Sequence, residues 1–286
     1  MTYKILQVQP ISGCIGAEIY GVDLRQLDNK LLWEELKQAY LQYHVIAVRG
    51  QDLSPDDQTR AAEFFGQSCP YPFAKGMDEA HPYMTRIIKE PTERTNFGAD
   101  WHSDTPYLQE PPSTTTLYAV ETPPAGGDTL YANTEAAYQA LSDTMKKMLE
   151  GLQGVFSASL KHKPGGNRKI HHARINTMAV QNSGEADRLE SIHPIVRTHP
   201  LTGKKALYVS ALHTLRFEGS TEKESRPLIQ MLNDHCIEPQ FTCRVRWQPG
   251  QFNIWDNRCT MHNAINDYHG HRREMRRLTV GSQKPQ

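Results

Sequence analysis

The chain has 286 residues, and its 32 basic side chains balance its 32 acidic ones, so the formal net charge is zero. This balance leaves no overall field that would attract nucleic acid or an anionic membrane. No stretch approaches the roughly 20 apolar residues of a membrane span, and the N-terminal residues lack the apolar core of a signal peptide. Length and composition therefore predict a single cytoplasmic domain over 1–286, with no nucleic-acid or membrane partner.

Short runs of β-branched and aromatic residues, most of them bounded by Gly, Pro, Asn or Asp, predict strands along the whole chain. In chain order, these runs are Lys4–Val8, His44–Arg49, Thr115–Val120, Thr129–Ala132, Ile195–Thr198, Ala206–Ser210, Phe241–Trp247, Phe252–Trp255 and Glu274–Gly281. Helical patterns cover Asn29–Tyr43, Ser54–Phe65, Asn133–Ala140, Ser142–Gly151 and Thr221–Cys236. Because strands and helices do not alternate regularly, we predict an α+β, mainly β fold with a jelly-roll or barrel core flanked by helices.

The cysteine and histidine content indicates which kinds of disulfide or metal site to expect. The five cysteines are scattered and form no C-x-x-C pair, which indicates neither a disulfide framework nor a zinc knuckle, whereas thirteen histidines offer many possible metal ligands.

Between 161 and 188 the sequence is polar and rich in glycine, with no clear period. An irregular segment of this length in a compact domain is commonly a lid or a disordered excursion, and we predict a lid over the substrate.

His102 and Asp104 occupy alternate positions, so on a strand they would project from one face, about 7 Å apart along the chain. His262, just past a predicted core strand, adds a second imidazole. We call His102, Asp104 and His262 the triad. Two histidines and one carboxylate leave coordination positions open and are typical of iron(II) oxygenases. An isolated H-x-D pair is also common by chance, and His235 and His269 likewise have acids close by.

Four arginines lie in or just before the last predicted strand. Arg273 and Arg277 fall on one face of such a strand, and Arg272 and Arg276 fall on the other. A planar, permanently charged guanidinium suits bidentate binding of a carboxylate or sulfonate, so two inward arginines would bind two anions. A solvated basic face has the same pattern. Thr129, after a glycine turn that is also typical of an ordinary hairpin, offers a hydroxyl that could assist an arginine.

A series of ordered motifs runs through nearly the whole chain. They are GAEIYGVDL (16–24), VRGQDLS (48–54), FFG (64–66), DWHSDTPY (100–107), GGDT (126–129), HPIVRTHPLTGKKALYV (193–209), WDNRCTMH (255–262) and HRREMRRLTVG (271–281). Together, in this order and spacing, they resemble the taurine dioxygenase family of iron(II) and 2-oxoglutarate enzymes, which includes the phenoxyacetate and dichlorprop dioxygenases. The resemblance implies a double-stranded β-helix (jelly-roll) fold, Fe(II) as the metal and 2-oxoglutarate as co-substrate.

Matched residue by residue, the resemblance places the metal ligands on the triad. It implies that Thr129 and Arg273 bind the C5 carboxylate of 2-oxoglutarate and that Arg277 binds the carboxylate or sulfonate of the substrate. Among the acids near Arg277 in sequence, only Glu274 could neutralise it, and Glu274 falls on the opposite face. We therefore expect the anion of the substrate to be the partner of Arg277.

The expected substrate pocket departs from that of the taurine enzyme. Residues 67–76 lack the histidine that, with a tyrosine, completes the sulfonate pocket there, so Tyr71 is the candidate for part of this role. Ser210–His213 replaces a segment that carries an aromatic residue in the taurine enzyme, which makes His213 a second candidate substrate-binding residue. The motifs FTCRVRW and CTMH are more similar to the dichlorprop dioxygenases.

The resemblance implies a reaction with O2 in which 2-oxoglutarate becomes succinate and CO2. The expected substrate is a small anion, an aryloxyalkanoate or alkylsulfonate, hydroxylated at a C–H next to a heteroatom. One alternative is a biosynthetic hydroxylase or oxidase acting on an amino acid or another carboxylate, and a second is a non-catalytic jelly-roll binding protein. The family also implies a homo-oligomer, either a dimer or a tetramer.

Overall fold

The computed structural model describes residues 3–159 and 188–286. Its α-helices are α1 Lys30–Tyr43, α2 Pro55–Glu63, α3 Thr134–Ala140, α4 Asp143–Leu149 and α5 Glu222–Cys236. All five predicted helices are confirmed, and two are preceded by the N-cap residues Ser54 and Ser142, whose side chains accept hydrogen bonds from the first turn. The predicted lid, 161–188, lies outside the described residues except for Arg188.

Sixteen strands occur in the described part of the chain. They are β1 Gln7–Pro10, β2 Ala17–Tyr20, β3 Val45–Val48, β4 Ser68–Cys69, β5 Thr85–Lys89, β6 Pro112–Glu121, β7 Thr129–Asn133, β8 Gln153–Ser157, β9 Glu190–Pro194, β10 Val196–Thr198, β11 Lys205–Leu207, β12 Thr214–Phe217, β13 Thr242–Val245, β14 Phe252–Asp256, β15 Thr260–Ala264 and β16 Arg273–Ser282. The largest sheet has the order β1-β2-β3-β14-β6-β16-β4, and β5 also pairs with β16. The smaller sheets are β13-β7-β15, β12-β8-β9 and the hairpin β10-β11.

The two principal sheets pack face to face, as a jelly roll requires. In β3, Ile46 and Val48 contact the core beneath α1 and α2, whereas Val45 and Ala47 face the sheet β13-β7-β15. This alternation is expected of a strand that is covered on both faces. The predicted mainly β, jelly-roll fold with flanking helices is therefore confirmed, and the inward side chains of β6, β7 and β16 meet between the sheets.

Seven strands, namely β2, β4, β5, β8, β9, β12 and β15, were not predicted from the sequence. Each is five residues long or shorter, so pairing with a neighbour, rather than composition, decides its conformation. Elsewhere the predicted boundaries shift by a few residues: Phe241 lies in a 3-10 turn before β13, and β1 begins at Gln7. None of the described helices combines the length and the apolar character needed to cross a bilayer.

Candidate metal centre and co-substrate cavity

His102 and Asp104 do not lie on a regular strand, so the argument that a strand would project both from one face does not apply to them. Asp100 and Thr105 have positive φ angles of 78° and 46°, which interrupt an extended run at both ends. His102 forms only an isolated antiparallel bridge with His262, in which the backbone N–H of each residue donates to the carbonyl of the other at 3.1 and 2.8 Å. This bridge sets the two imidazoles side by side, with their ring centroids 4.3 Å apart.

The donor atoms of the triad lie within 4.8 Å of one another, and all three residues are buried. The Nδ1 atom of His102 is 2.8 Å from the carbonyl oxygen of Asp100, a contact that favours the tautomer with Nε2 as the ligating atom. The Nδ1 atom of His262 is buried with no hydrogen-bond partner among the described residues. Burial, and then the charge of His102, lower the pKa of His262 to about 3, so its imidazole is neutral. Two imidazoles, of which that of His262 is neutral, and a carboxylate fit a divalent iron ion.

The two carboxylate oxygens of Asp104 have different neighbours. Its Oδ2 accepts a hydrogen bond from the hydroxyl of Thr115 at 2.6 Å, and its Oδ1 lies 2.8 Å from Nη2 of Arg277. Burial alone would raise the pKa of Asp104, but the adjacent Arg277 guanidinium, with the hydrogen bond from the Thr115 hydroxyl, holds it well below its ordinary range. Asp104 is therefore ionised, as a metal ligand must be.

Asn257 orients the Thr115 hydroxyl. Its Nδ2 donates to Thr115 Oγ1 at 2.8 Å and to the carbonyl of Pro112 at 3.2 Å. Because Thr115 already accepts from the amide, its single hydroxyl proton is directed to Asp104. The chain Asn257–Thr115–Asp104 therefore fixes the carboxylate through a second layer of hydrogen bonds.

Replacing Thr115 by Val should weaken Fe(II) or Mn(II) binding by about 10 to 100-fold, because it leaves a triad carboxylate without its orienting donor. Metal affinity measured by calorimetry checks this expectation, and Thr115→Ser should restore it. Thr116→Val is the matched control, since the Thr116 hydroxyl donates instead to the carbonyl of Leu278. Equal metal affinity for Thr115→Val and Thr116→Val would contradict the role of Thr115.

Arg277 has an acidic partner, so the prediction that it lacks one is wrong. Asp104 is distant from it in sequence but adjacent in space. The Cζ atom of Arg277 also lies 5.0 Å from the centroid of the Tyr71 ring. Glu274 does face away, as predicted, and pairs with Arg86 and Arg272.

Arg273 and Thr129 meet beside an indole. The indole N–H of Trp247 donates to Thr129 Oγ1 at 3.0 Å, and Arg273 Cζ lies 5.6 Å from the Trp247 ring. Arg273 is buried, its burial lowers its pKa, and its Nε has no hydrogen-bond partner among the described residues. Gly127 lets the turn before β7 pack closely against Tyr268, because a Cβ at this position would lie 3.1 Å from the Tyr268 ring and the φ of Gly127 is +70°.

One cavity joins these groups. Its polar lining consists of His102, Asp104, Thr129, Tyr131, His262, Arg273 and Arg277. Its apolar lining consists of Ile87, Phe97, Leu117, Trp255 and Ala264, with Gly98 at the edge. Three potential metal ligands and two buried guanidinium groups therefore share one cavity. The chemistry of this lining suits a metal and anionic ligands.

The remaining predicted residues, Tyr71 and His213, lie at different places around the triad. Tyr71 contacts Arg277, and its ring centroid is 6.1 Å from that of Phe97, which lines the cavity. The ring of His213 is 6.1 Å from that of His102 and 5.2 Å from that of Tyr107. The structure thus brings Tyr71 against Arg277 and His213 near His102 and Tyr107. Their roles in substrate binding stay predictions.

A second group of possible ligands, His199, Asp256 and Cys259, lies deeper in the protein. Both oxygens of Asp256 are already bonded to the guanidinium of Arg258, at 2.8 and 2.7 Å, and one also contacts His199 at 3.0 Å. Burial would raise the pKa of Asp256, but Arg258 and His199 hold it well below its ordinary range. This group is a satisfied ion-pair network rather than an open metal site.

Sequence reasoning missed several residues of the site. Tyr131 could have been found, because it alternates with Thr129 on a predicted strand and so shares its inward face. Thr115 stands in a run of three threonines, and nothing in the sequence distinguishes the one that contacts Asp104. Asn257 lies in a quoted motif, but its bond to Thr115 depends on the pairing of β14 with β6.

The sequence model described as "Taurine catabolism dioxygenase TauD, TfdA family" matches residues 7–279. The chain belongs to this family. An alpha-ketoglutarate-dependent sulfate ester dioxygenase of Pseudomonas putida is 32% identical to it, over 98% of this chain and 91% of that protein. An alpha-ketoglutarate-dependent 2,4-dichlorophenoxyacetate dioxygenase of Cupriavidus pinatubonensis is 30% identical, over 95% and 96%. The solved structure of a taurine dioxygenase from Burkholderia xenovorans is 30% identical, has a TM-score of 0.81, and covers 99% of this chain and 91% of its own.

Family membership confirms the predicted enzyme class. The chain is an oxidoreductase that depends on Fe(II) and on 2-oxoglutarate, which is the alpha-ketoglutarate of those names, and O2 and an organic substrate are its other reactants. The resemblance inferred from the motifs is likewise confirmed. Within the TauD, TfdA family, relatives act on different anions, so the comparisons leave the substrate of this chain to be argued from its cavity.

Proposed function

We propose that the enzyme hydroxylates a C–H bond next to a heteroatom in a small organic anion. The observation that carries this proposal is Arg277, a buried guanidinium that lines the same cavity as the triad and Arg273. In this proposal His102, Asp104 and His262 hold Fe(II), Arg273 and Thr129 bind the C5 carboxylate of 2-oxoglutarate, and Arg277 receives the substrate. Bound iron supplies the chemistry that activates O2, decarboxylates 2-oxoglutarate and oxidises the C–H bond.

The charges in the cavity favour an anionic substrate. Fe(II), Arg273 and Arg277 bring positive charge, whereas Asp104 and the two carboxylates of 2-oxoglutarate bring negative charge. With these reactants in place, one positive charge remains uncompensated among the groups that line the cavity. Because a buried charge without a counter-ion is costly, a substrate with a single negative charge fits best.

In this proposal Arg277 contacts the metal ligand Asp104 and also binds the anion of the substrate. Its contact with Asp104 keeps the guanidinium aimed at the metal position, and the Tyr71 ring covers it from another side. We propose that these contacts hold the anionic end of the substrate at a fixed distance from the iron, so that one carbon is presented for oxidation. Tyr71, against Arg277, and His213, near His102, would then shape the pocket.

The products of the reaction would identify which anion the enzyme oxidises. The relatives described above act on a sulfate ester, a phenoxyacetate and taurine, which present sulfate, carboxylate and sulfonate groups. Hydroxylation of a carbon that bears sulfonate, a sulfate oxygen or an aryl ether oxygen gives an unstable product. That product collapses to a carbonyl and releases sulfite, sulfate or a phenol. A panel of alkylsulfonates, alkyl sulfates, aryloxyalkanoates and amino acids, scored for succinate and for these products, tests the proposal.

The co-substrate role of Arg273 gives a separate prediction. Charge-assisted hydrogen bonds to a carboxylate contribute roughly 1.5 to 3 kcal/mol each, so Arg273→Ala should weaken 2-oxoglutarate binding by at least about tenfold. Titration of the Mn(II)-loaded protein measures this change without turnover. Arg276→Ala is the matched control, because Arg276 lies on the opposite face of β16, over the Tyr118 ring. Unchanged affinity in Arg273→Ala would rule out this residue as the anchor.

We further propose that the protein works in the cytoplasm as a single-domain homo-oligomer, either a dimer or a tetramer. Its five cysteines are all free, in keeping with a reducing compartment. Light scattering after size-exclusion chromatography measures the oligomeric state, and a monomer at all accessible concentrations would contradict this part of the proposal.

A further inference from the structure

A second buried cation lies beside Arg273. Lys89 on β5 is the register partner of Arg273 on β16, and the two strands are antiparallel. Side chains of directly opposed residues project from the same face of a sheet. Lys89 is 3% exposed and Arg273 is 6% exposed. Two positive side chains therefore share one enclosed side of the sheet.

Neither cation forms an ion pair with a described residue, although the Tyr268 hydroxyl beside Arg273 and Glu93 near Lys89 offset part of their charge. The Lys89 ammonium lies 4.2 Å from the centroid of the Tyr268 ring, and Arg273 Cζ lies 6.0 Å from the same centroid. Neither Lys89 Nζ nor Arg273 Nε has a hydrogen-bond partner in the described part of the chain. Burial lowers the pKa of Lys89, and the charge of Glu93 only partly offsets this effect. Like charges directly opposite each other destabilise a strand pair, so this arrangement calls for an anion.

The position of Lys89 indicates which anion. Ile87, which alternates with Lys89 on β5, lines the cavity of the triad, as does Arg273. The proposed function places the C5 carboxylate of 2-oxoglutarate at Arg273, and the present inference rests on that assignment. We propose that Lys89 is a positioning residue for the co-substrate: its charge, acting through Tyr268 and Arg273, gives the site its preference for a 2-oxo acid with a distal carboxylate.

The charge of Lys89 can be separated from its packing by comparing two ligands. 2-Oxopentanoate has the same carbon chain as 2-oxoglutarate but lacks the distal carboxylate. Titration of the Mn(II)-loaded protein by tryptophan fluorescence gives the affinity for each acid. Unit charges attract each other appreciably in a partly desolvated site even when they are not in contact. Lys89→Met should therefore weaken the binding of 2-oxoglutarate by roughly tenfold. Binding of 2-oxopentanoate should change by less than about twofold, and Lys89→Arg should restore the preference.

Stability without ligand gives an independent readout. Because Lys89→Met removes one of two opposed cations, the unliganded variant should melt at or above the temperature of the natural protein. A purely structural lysine predicts the reverse: a lower melting temperature and equal losses for both acids, which would overturn the inference. Failure of folded Lys89→Arg to restore the preference would also overturn it.

Arg273→Ala, titrated in parallel, distinguishes failure of this inference from failure of the proposed function. If Arg273→Ala leaves the affinity for 2-oxoglutarate unchanged, the proposed co-substrate site is wrong and the role of Lys89 falls with it. If Arg273→Ala weakens binding while Lys89→Met does not, only the inference about Lys89 is overturned.

Discussion

Replacing Asp104 by Ala should abolish iron-dependent turnover and weaken metal binding by more than about 100-fold. Changes to residues that merely orient a ligand already cost about 10 to 100-fold in metal affinity, and Asp104 is the anionic member of the triad. The variant also leaves Arg277 without the carboxylate that lies 2.8 Å from its Nη2, so its folding must be checked by thermal unfolding. Asp104→Asn, which keeps the shape and removes the charge, should likewise lose activity.

The second group of possible ligands supplies the control. Cys259 lies with His199 and Asp256 in a buried cluster that has the residue types, but not the open oxygens, of a metal site. Cys259→Ala should therefore keep its iron content and its activity. Full activity and undiminished iron in Asp104→Asn, or loss of iron in folded Cys259→Ala, would show that the triad is not the metal centre.

Arg277→Gln should weaken binding of the anionic substrate by about 100-fold, because a guanidinium can make two charge-assisted hydrogen bonds to a carboxylate, sulfate or sulfonate. The affinity for 2-oxoglutarate should change far less, since Arg273 holds the co-substrate in the proposed arrangement. Slow succinate formation without substrate should survive. Separate titrations of substrate and 2-oxoglutarate, together with succinate release in the absence of substrate, measure these three effects.

Arg272 offers the matched comparison for Arg277. It lies just before β16 and pairs with Glu90, Glu121 and Glu274 rather than with the cavity. Arg272→Gln should therefore leave substrate binding within about twofold. Intact substrate affinity in Arg277→Gln, or a neutral molecule as the best substrate, would contradict the anionic-substrate proposal and favour a biosynthetic role in the same family.

The spacing of apolar residues along the sequence was sufficient to predict those helices and strands whose buried faces follow the regular period of the element. The five helices have clear apolar spacing, and Arg273 and Arg277 were correctly placed on one face because β16 is long and regular. Local pattern failed for β5 and β15, which are short and held by their neighbours. It also gave no account of residues 100–105, where positive φ angles at Asp100 and Thr105 exclude the regular strand on which His102 and Asp104 would share a face.

The contacts that decide the chemistry come from pairing across the sheets. Asp104 meets Arg277, and Lys89 meets Arg273, because distant strands are aligned in a particular register. No spacing rule within one segment predicts such contacts, since register depends on the packing of the whole sheet. Motif resemblance named the triad, but the bond from Thr115 to Asp104 and the cation opposite Arg273 required the three-dimensional arrangement.

The most direct test of the central claim is the stoichiometry of the reaction with an anionic substrate panel. Purified enzyme with Fe(II), 2-oxoglutarate and O2 should form one succinate for each O2 consumed, and one sulfite, sulfate or phenol for each sulfonate, sulfate ester or aryloxyalkanoate oxidised. We expect at least one such anion to raise succinate formation well above the rate without substrate. Succinate formation that no anion stimulates, or that a neutral compound stimulates most, would contradict the account.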